Sequence, residues 1–192
     1  MRADPSEFSK IDLRCHSLLF DVPLHDVWVV PLTGGGPNRT MRDVYAISPF
    51  ARVPSTNVLV RGLFALRRVL GRRFRWDEQR HDPPVESYIE RLTDADRARS
   101  LVVPGTREGA FRTLYLFREE AVAELHNATA HAFVATALKA RTDGYVLYWA
   151  IYVKPVGFLT CLYMTLIDPF RRFVVYPALI RATQAAWSRA YT

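Results

Sequence analysis

The stretch Gly144-Tyr-Val-Leu-Tyr-Trp-Ala-Ile-Tyr-Val153 decides the fold. Its aromatic and β-branched residues suit a pleated, buried surface, so it reads as a strand. Thr142-Asp143-Gly144 stands immediately before it, and Asp-Gly supplies the positive φ angles of a tight hairpin turn. The strand is therefore antiparallel to its predecessor. Alternation sets Tyr145, Leu147, Trp149 and Ile151 on one face and Tyr148, Ala150 and Tyr152 on the other.

Working outward, Lys154-Pro155 ends the strand and a long helical pattern follows over Val156 to Arg189, with bends expected at Pro169 and Pro177. Toward the N-terminus, Phe111 to Phe117 reads as a strand, and Ala121 to His126 and Thr129 to Ala140 read as two more, with an Ala-rich composition that also allows helix. Asp26 to Leu32 is a further strand, and Pro31 marks its end or a sheet edge. Gly34 to Asn38 is a loop. Thr40 and Asp43 have the spacing of a capping box for a helix over Met41 to Ile47. Leu59, Leu63, Leu66 and Leu70 recur at helical spacing, predicting a helix from Val58 to Arg73 with an arginine-rich outer face. Trp76 to Pro84 is a linker, Ser87 to Leu92 a short strand, and Thr93 and Asp96 cap a brief helix reaching Ser100. Residues 1–14 are polar and expected to be flexible, leaving 15–192 as one domain.

These elements predict an α+β fold: a curved antiparallel sheet, two short helices and a long C-terminal helix gripped by the sheet. The helix Arg61-Gly-Leu-Phe-Ala-Leu-Arg-Arg-Val-Leu-Gly71, the strand Leu147-Tyr-Trp-Ala-Ile-Tyr-Val-Lys-Pro155 and the segment Leu166-Ile-Asp-Pro-Phe-Arg-Arg-Phe173 carry a resemblance. The chain resembles a bacterial family of unknown function within the START-like (SRPBCC, helix-grip) superfamily, whose members also occur fused to short-chain-dehydrogenase-like domains. The resemblance spans Asp26 to Trp187. It departs from the family pattern over Asp77 to Phe111, at the tight Asp143-Gly144 turn, and at Arg171, where the family often has histidine. It implies a fold and a reductase-like partner, and no reaction.

Net charge is +7, but 23 of the 26 basic residues are arginine, as GC-rich coding alone would produce. No nucleic-acid motif accompanies the charge, so no nucleic-acid partner is expected. The two cysteines, Cys15 and Cys161, form no CxxC or Cys/His cluster, which argues against structural zinc. The first residues lack an apolar signal core, predicting a cytoplasmic protein with reduced thiols. Gly144 to Ile167 is long enough to span a bilayer, but Lys154, Pro155 and Gly157 interrupt it, so a membrane span is not expected. Gly34-Gly-Gly36 has neither phosphate-loop nor dinucleotide spacing, and no serine has a nucleophile-elbow context.

The densest polar cluster is Glu124-Leu-His126-Asn127-Ala-Thr129-Ala-His131. On one continuous strand Glu124 and His126 share a face and His131 takes the other; a turn near Asn127 would instead converge the histidines. Imidazole titrates near neutrality, so His131 or His126 with Glu124 are the candidate general bases. Their spacing is not the i, i+4 helical pair of zinc hydrolases, so no metal is assigned. No cofactor is implied. Aromatic residues with a few polar groups build pockets for planar ligands, which nominates Trp149, His131, Asn127, Tyr152 and Tyr163 as ligand-binding residues.

The leading expectation is a small-molecule-binding protein that holds a hydrophobic or aromatic ligand between sheet and C-terminal helix. One alternative is a cyclase, dehydratase or isomerase using a cavity histidine. Another is a membrane-associated or interaction module using the basic helix. Whether the chain is an enzyme, its ligand and its oligomeric state stay open.

Overall fold

A computed structural model describes residues 2–47, 86–127, 130–155 and 168–191, without the side chains of 127 and 130. The expected helix Val58 to Arg73, the linker 76–84, Tyr163 and the first part of the long helix lie outside the described residues.

The described elements run α1 (Pro5–Ser9), α2 (Arg14–Leu18), β1 (Leu24–Thr33), α3 (Met41–Ala46), a 3-10 turn (Tyr88–Arg91), α4 (Asp94–Arg99), β2 (Arg107–Glu108), β3 (Phe111–Leu116), β4 (Glu120–Asn127), β5 (Ala130–Arg141), β6 (Gly144–Lys154) and α5 (Tyr176–Tyr191). The six strands form one antiparallel, open sheet in the order β1-β6-β5-β4-β3-β2. The first strand thus pairs with the last, while β2 to β6 follow one another as a meander. The α+β class read from the sequence is the class observed.

Alternation along β6 divides the core as the sequence indicates. Tyr145, Leu147, Trp149 and Ile151 join Trp28, Val30, Leu32, Tyr176 and Trp187 on the face that carries α5. Ala150 and Tyr152 join Phe8, Leu18, Tyr88, Tyr115 and Phe133 on the opposite face, beneath α1, α2 and the 3-10 turn. Both faces are therefore apolar and covered, which accounts for the nearly continuous hydrophobic reading of β6.

Local chemistry sets several boundaries. At the start of α3 the Asp43 carboxylate accepts the Thr40 backbone N–H at 2.8 Å, the reciprocal arm of a capping box. Pro177 has no amide hydrogen to donate back along the helix, and the turn before it widens: Arg171–Val175 is a π-type turn in which the Tyr176 N–H bonds the Arg171 carbonyl.

Two regions differ from the sequence reading. Ser87 to Leu92 is a 3-10 turn rather than a strand, because the Ser87 hydroxyl accepts the Ile89 N–H and the Glu124 carboxylate accepts the Tyr88 N–H. Residues 1–14, read as flexible, carry α1, whose Phe8 is fully buried, and the first residue of α2, Arg14. The Glu120 carboxylate accepts the Arg14 and Cys15 N–H groups, and the Arg14 guanidinium grips Asp96 of α4 at 2.9–3.1 Å.

The sheet's edges are also occupied. Along β1, Ala3 N–H bonds the Val27 carbonyl, Gln184 Nε2 the Pro31 carbonyl, and Trp187 Nε1 the Thr33 carbonyl. At the other end β2 is two exposed, charged residues. Among the described residues, no helix is long and apolar enough to cross a membrane.

Candidate functional site

The β4–β5 hairpin settles which way the polar cluster folds. His126 lies directly opposite His131, and Glu124 opposite Phe133. Cross-strand partners share a face, so Glu124, His126 and His131 all project from the same side of the sheet. The two imidazole rings meet edge to face at 4.9 Å.

Glu124 and His131 are 4% and 1% exposed, and His131 Nε2 stands 3.4 Å from Glu124 Oε2. That carboxylate also accepts the Ser87 hydroxyl and, at 3.1 Å, the Tyr88 N–H. Arg112 approaches it at 3.9 Å. Phe133 and Tyr88 pack on the His131 ring, and its Nδ1 is buried with no hydrogen-bond partner among the described residues. Burial pushes the Glu124 carboxyl up, but the bonds from His131, Ser87 and Tyr88 together outweigh it and hold the group below its ordinary value of 4.5. Stability from this depression is complete above the ordinary value and is lost as pH falls through the lowered one, when the acceptor becomes protonated. Glu124→Gln is therefore expected to flatten the loss of stability as pH falls below the ordinary carboxyl value, measured as urea midpoints against pH. An unchanged slope would show that Glu124 contributes nothing to the acid limb.

Beside this pair, Ser87, Tyr88, Arg91 and Lys154 line a cleft of about 220 Å³, together with Glu86 and Glu90. Asp21 organises its cationic wall. Its carboxylate takes Arg91 through two bonds at 2.6 and 3.0 Å, Lys154 at 3.1 Å and the Tyr88 hydroxyl at 2.9 Å. Arg91, followed by Tyr88 and Lys154, holds the Asp21 carboxyl well below the carboxylate range. Arg91 also lies over the Tyr88 ring at 3.7 Å. Tyr88 stands between this cleft and His131, so the histidine is not among its walls. The volume is below the 300–1,000 Å³ typical of ligand pockets.

The structure divides the residues nominated for ligand binding. Trp149 faces α5. His131 and Tyr152 face the other way, with the Tyr152 hydroxyl 3.4 Å from His16 Nδ1. Asn127 sits at the hairpin end, paired with Ala130, and Tyr163 lies outside the described residues. Trp149 and His131 therefore cannot line one cavity. On the α5 face Trp149 stands with Trp28 and Tyr145, and the Trp28 and Tyr176 rings pack at 4.9 Å. Burial pushes the Tyr176 phenol up, against the neighbouring Arg171 guanidinium, with Asp26 and Asp168 adding to the rise. The buried Trp28 Nε1 has no acceptor among the described residues.

Sequence reading missed a charged cluster on that same face. Asp26 is 0% exposed. His25, Asp26 and Asp168 bring one ligand-type atom each within 4.8 Å of one another. His25 Nε2 contacts Asp168 at 3.0 Å and Asp26 at 3.6 Å. Arg172 reaches Asp168 at 2.8 Å and Asp26 at 3.7 Å, Arg171 reaches Asp168 at 3.7 Å, and Arg2 reaches Asp26 at 3.2 Å. Three guanidiniums against two carboxylates leave no negative charge to attract a dication. The available signal was parity: alternation places Asp26 on the face of Trp28, Val30 and Leu32, an inward position for a charge.

No curated protein and no solved structure matches the chain. A family model described as "Protein of unknown function (DUF2867)" matches residues 18–178, which include β1, the Glu124–His131 hairpin and the Asp168–Tyr176 segment. That match covers most of the chain, which therefore belongs to this family of proteins of unknown function.

Proposed function

We propose that the chain is a START-like (SRPBCC, helix-grip) domain that holds a small hydrophobic or aromatic molecule between the sheet and its C-terminal helix. The pairing of first strand with last and the placement of α5 over β1 support the helix-grip reading. One observation carries the binding role: the aromatic wall under α5 contains a buried indole donor, Trp28 Nε1, with no acceptor among the described residues. Apolar pockets commonly fix a ligand's pose with a few such polar groups. A bacterial origin, a cytoplasmic location and a reductase-like partner accompany this proposal from the sequence resemblance alone.

The test is titration with N-phenyl-1-naphthylamine, an uncharged fluorophore that brightens on leaving water. Saturable uptake of one probe per chain, weakened about tenfold or more by Trp149→Ala, is expected. Unsaturable or absent uptake would refute the binding role.

A second reading, a cyclase, dehydratase or isomerase, draws on the buried Glu124–His131 pair with its open Nδ1. Such chemistry would have to act on the face opposite α5. If a ligand extracted from the native protein is turned over and His131→Ala leaves the rate intact, the histidine has no catalytic role.

A further inference from the structure

Among the described residues, four buried side-chain atoms without hydrogen-bond partners belong to three residues at one end of the α5 face: Asp26 Oδ1 and Oδ2, Trp28 Nε1 and Arg172 Nε. Asp26 and Trp28 are neighbours on one face of β1. Arg172 lies within 3.7 Å of Asp26, and Trp28 packs on Tyr176, one helical turn further along. Arg172 makes its closer ion pair with Asp168, at 2.8 Å, and Asp26 keeps charged neighbours without an aligned donor among the described residues. A buried polar group without a partner costs about 1–3 kcal/mol, and more when it is charged. A carboxylate and two N–H groups unsatisfied together are groups that one incoming polar atom would satisfy.

The chemistry of that atom is constrained on three sides. A metal ion would add positive charge where Arg2, Arg171 and Arg172 already outnumber Asp26 and Asp168. A carboxylate or phosphate would confront Asp26. A hydrocarbon would leave all four atoms unsatisfied. A hydroxyl fits, because it donates its proton to Asp26 and accepts from Trp28 Nε1 or Arg172 Nε.

We infer that Asp26, Trp28 and Arg172 form the polar anchor for a hydroxyl group on the apolar ligand, so that the ligand class is a hydrophobic phenol or alcohol. The inference rests on the binding role proposed above and names the chemistry of that same site. Asp26 acts as acceptor and fixes the ligand's orientation, with the aromatic wall taking the rest of the molecule.

The experiment compares 2-naphthol with naphthalene, two probes of nearly one shape, by calorimetric titration of the full chain. The expected result is binding of both, with 2-naphthol tighter by about tenfold or more. Asp26→Asn and Trp28→Phe should each shrink that preference, read as the ratio of the two affinities measured on the same variant. Their urea midpoints would be checked against the parent, and the two-probe comparison on the parent chain decides the question even if a variant fails to fold. Equal affinity for the two probes would overturn the anchor, identify the unsatisfied atoms as a water site, and leave the binding role standing. Failure of both probes to bind would overturn the anchor and the binding role together.

Discussion

Replacing Gly144 with alanine is expected to destabilise the protein by about 3 kcal/mol or more, read as a drop in the urea unfolding midpoint. Gly144 opens β6 at φ +141°, a conformation side chains rarely adopt. A methyl group there would stand 2.3 Å from the Leu32 carbonyl oxygen and 2.7 Å from the Gly34 nitrogen. Both contacts are backbone, so no side chain can swing aside. Relief requires β1 to move away from β6 just where Gly34 N–H bonds the Asp143 carbonyl. Backbone strain and a lost close approach therefore act together. A variant as stable as the parent would mean that the hairpin end and β1 are not held at this distance.

The second large effect is at the other end of the chain. Trp187→Ala is expected to cost about 3–5 kcal/mol, the range for truncating a buried tryptophan. Trp187 is 1% exposed, donates its indole N–H to the Thr33 carbonyl at 3.2 Å, and meets Tyr145 and Tyr191 edge to face. It also rests directly on Gly35, where a Cβ would fall 2.6 Å from the ring. The indole thus joins α5, the glycine loop and the end of β1. Trp187→Phe separates packing from bonding: it keeps most of the apolar area but leaves the Thr33 carbonyl without its donor, for a loss of about 1–2 kcal/mol. If alanine and phenylalanine cost the same, the bond and not the packing holds α5 in place.

Much of this arrangement was legible because its causes are local. Alternation along β6, the Asp143-Gly144 turn and the Thr40–Asp43 box each depend on residues a few positions apart. The Glu124–His131 pair was legible too, since a hairpin turn near Asn127 brings the two together without help from the rest of the fold. What escaped has distant causes. The 3-10 turn at Tyr88 is held by Glu124, and the start of α2 by Glu120, a carboxylate 106 residues from Arg14. The cluster at Asp26 needs His25 and Asp168, separated by 143 residues. Spacing within one segment carries no trace of such a meeting. The inward parity of Asp26 was its one local mark, and an ionised residue among Trp28, Val30 and Leu32 contradicts the pattern around it.

An open sheet ordinarily invites a neighbouring molecule to add a strand at its rim. Here the outward carbonyls of Val27, Pro31 and Thr33 are taken by the chain's own Ala3, Gln184 and Trp187, and Pro31 has no N–H to offer. The far rim ends in Arg107 and Glu108, too short and too charged to template pairing. The same contacts that seat the N-terminal residues and α5 therefore protect this sheet from fibrillar growth, and stripping them away would expose β1 as a nucleus for aggregation.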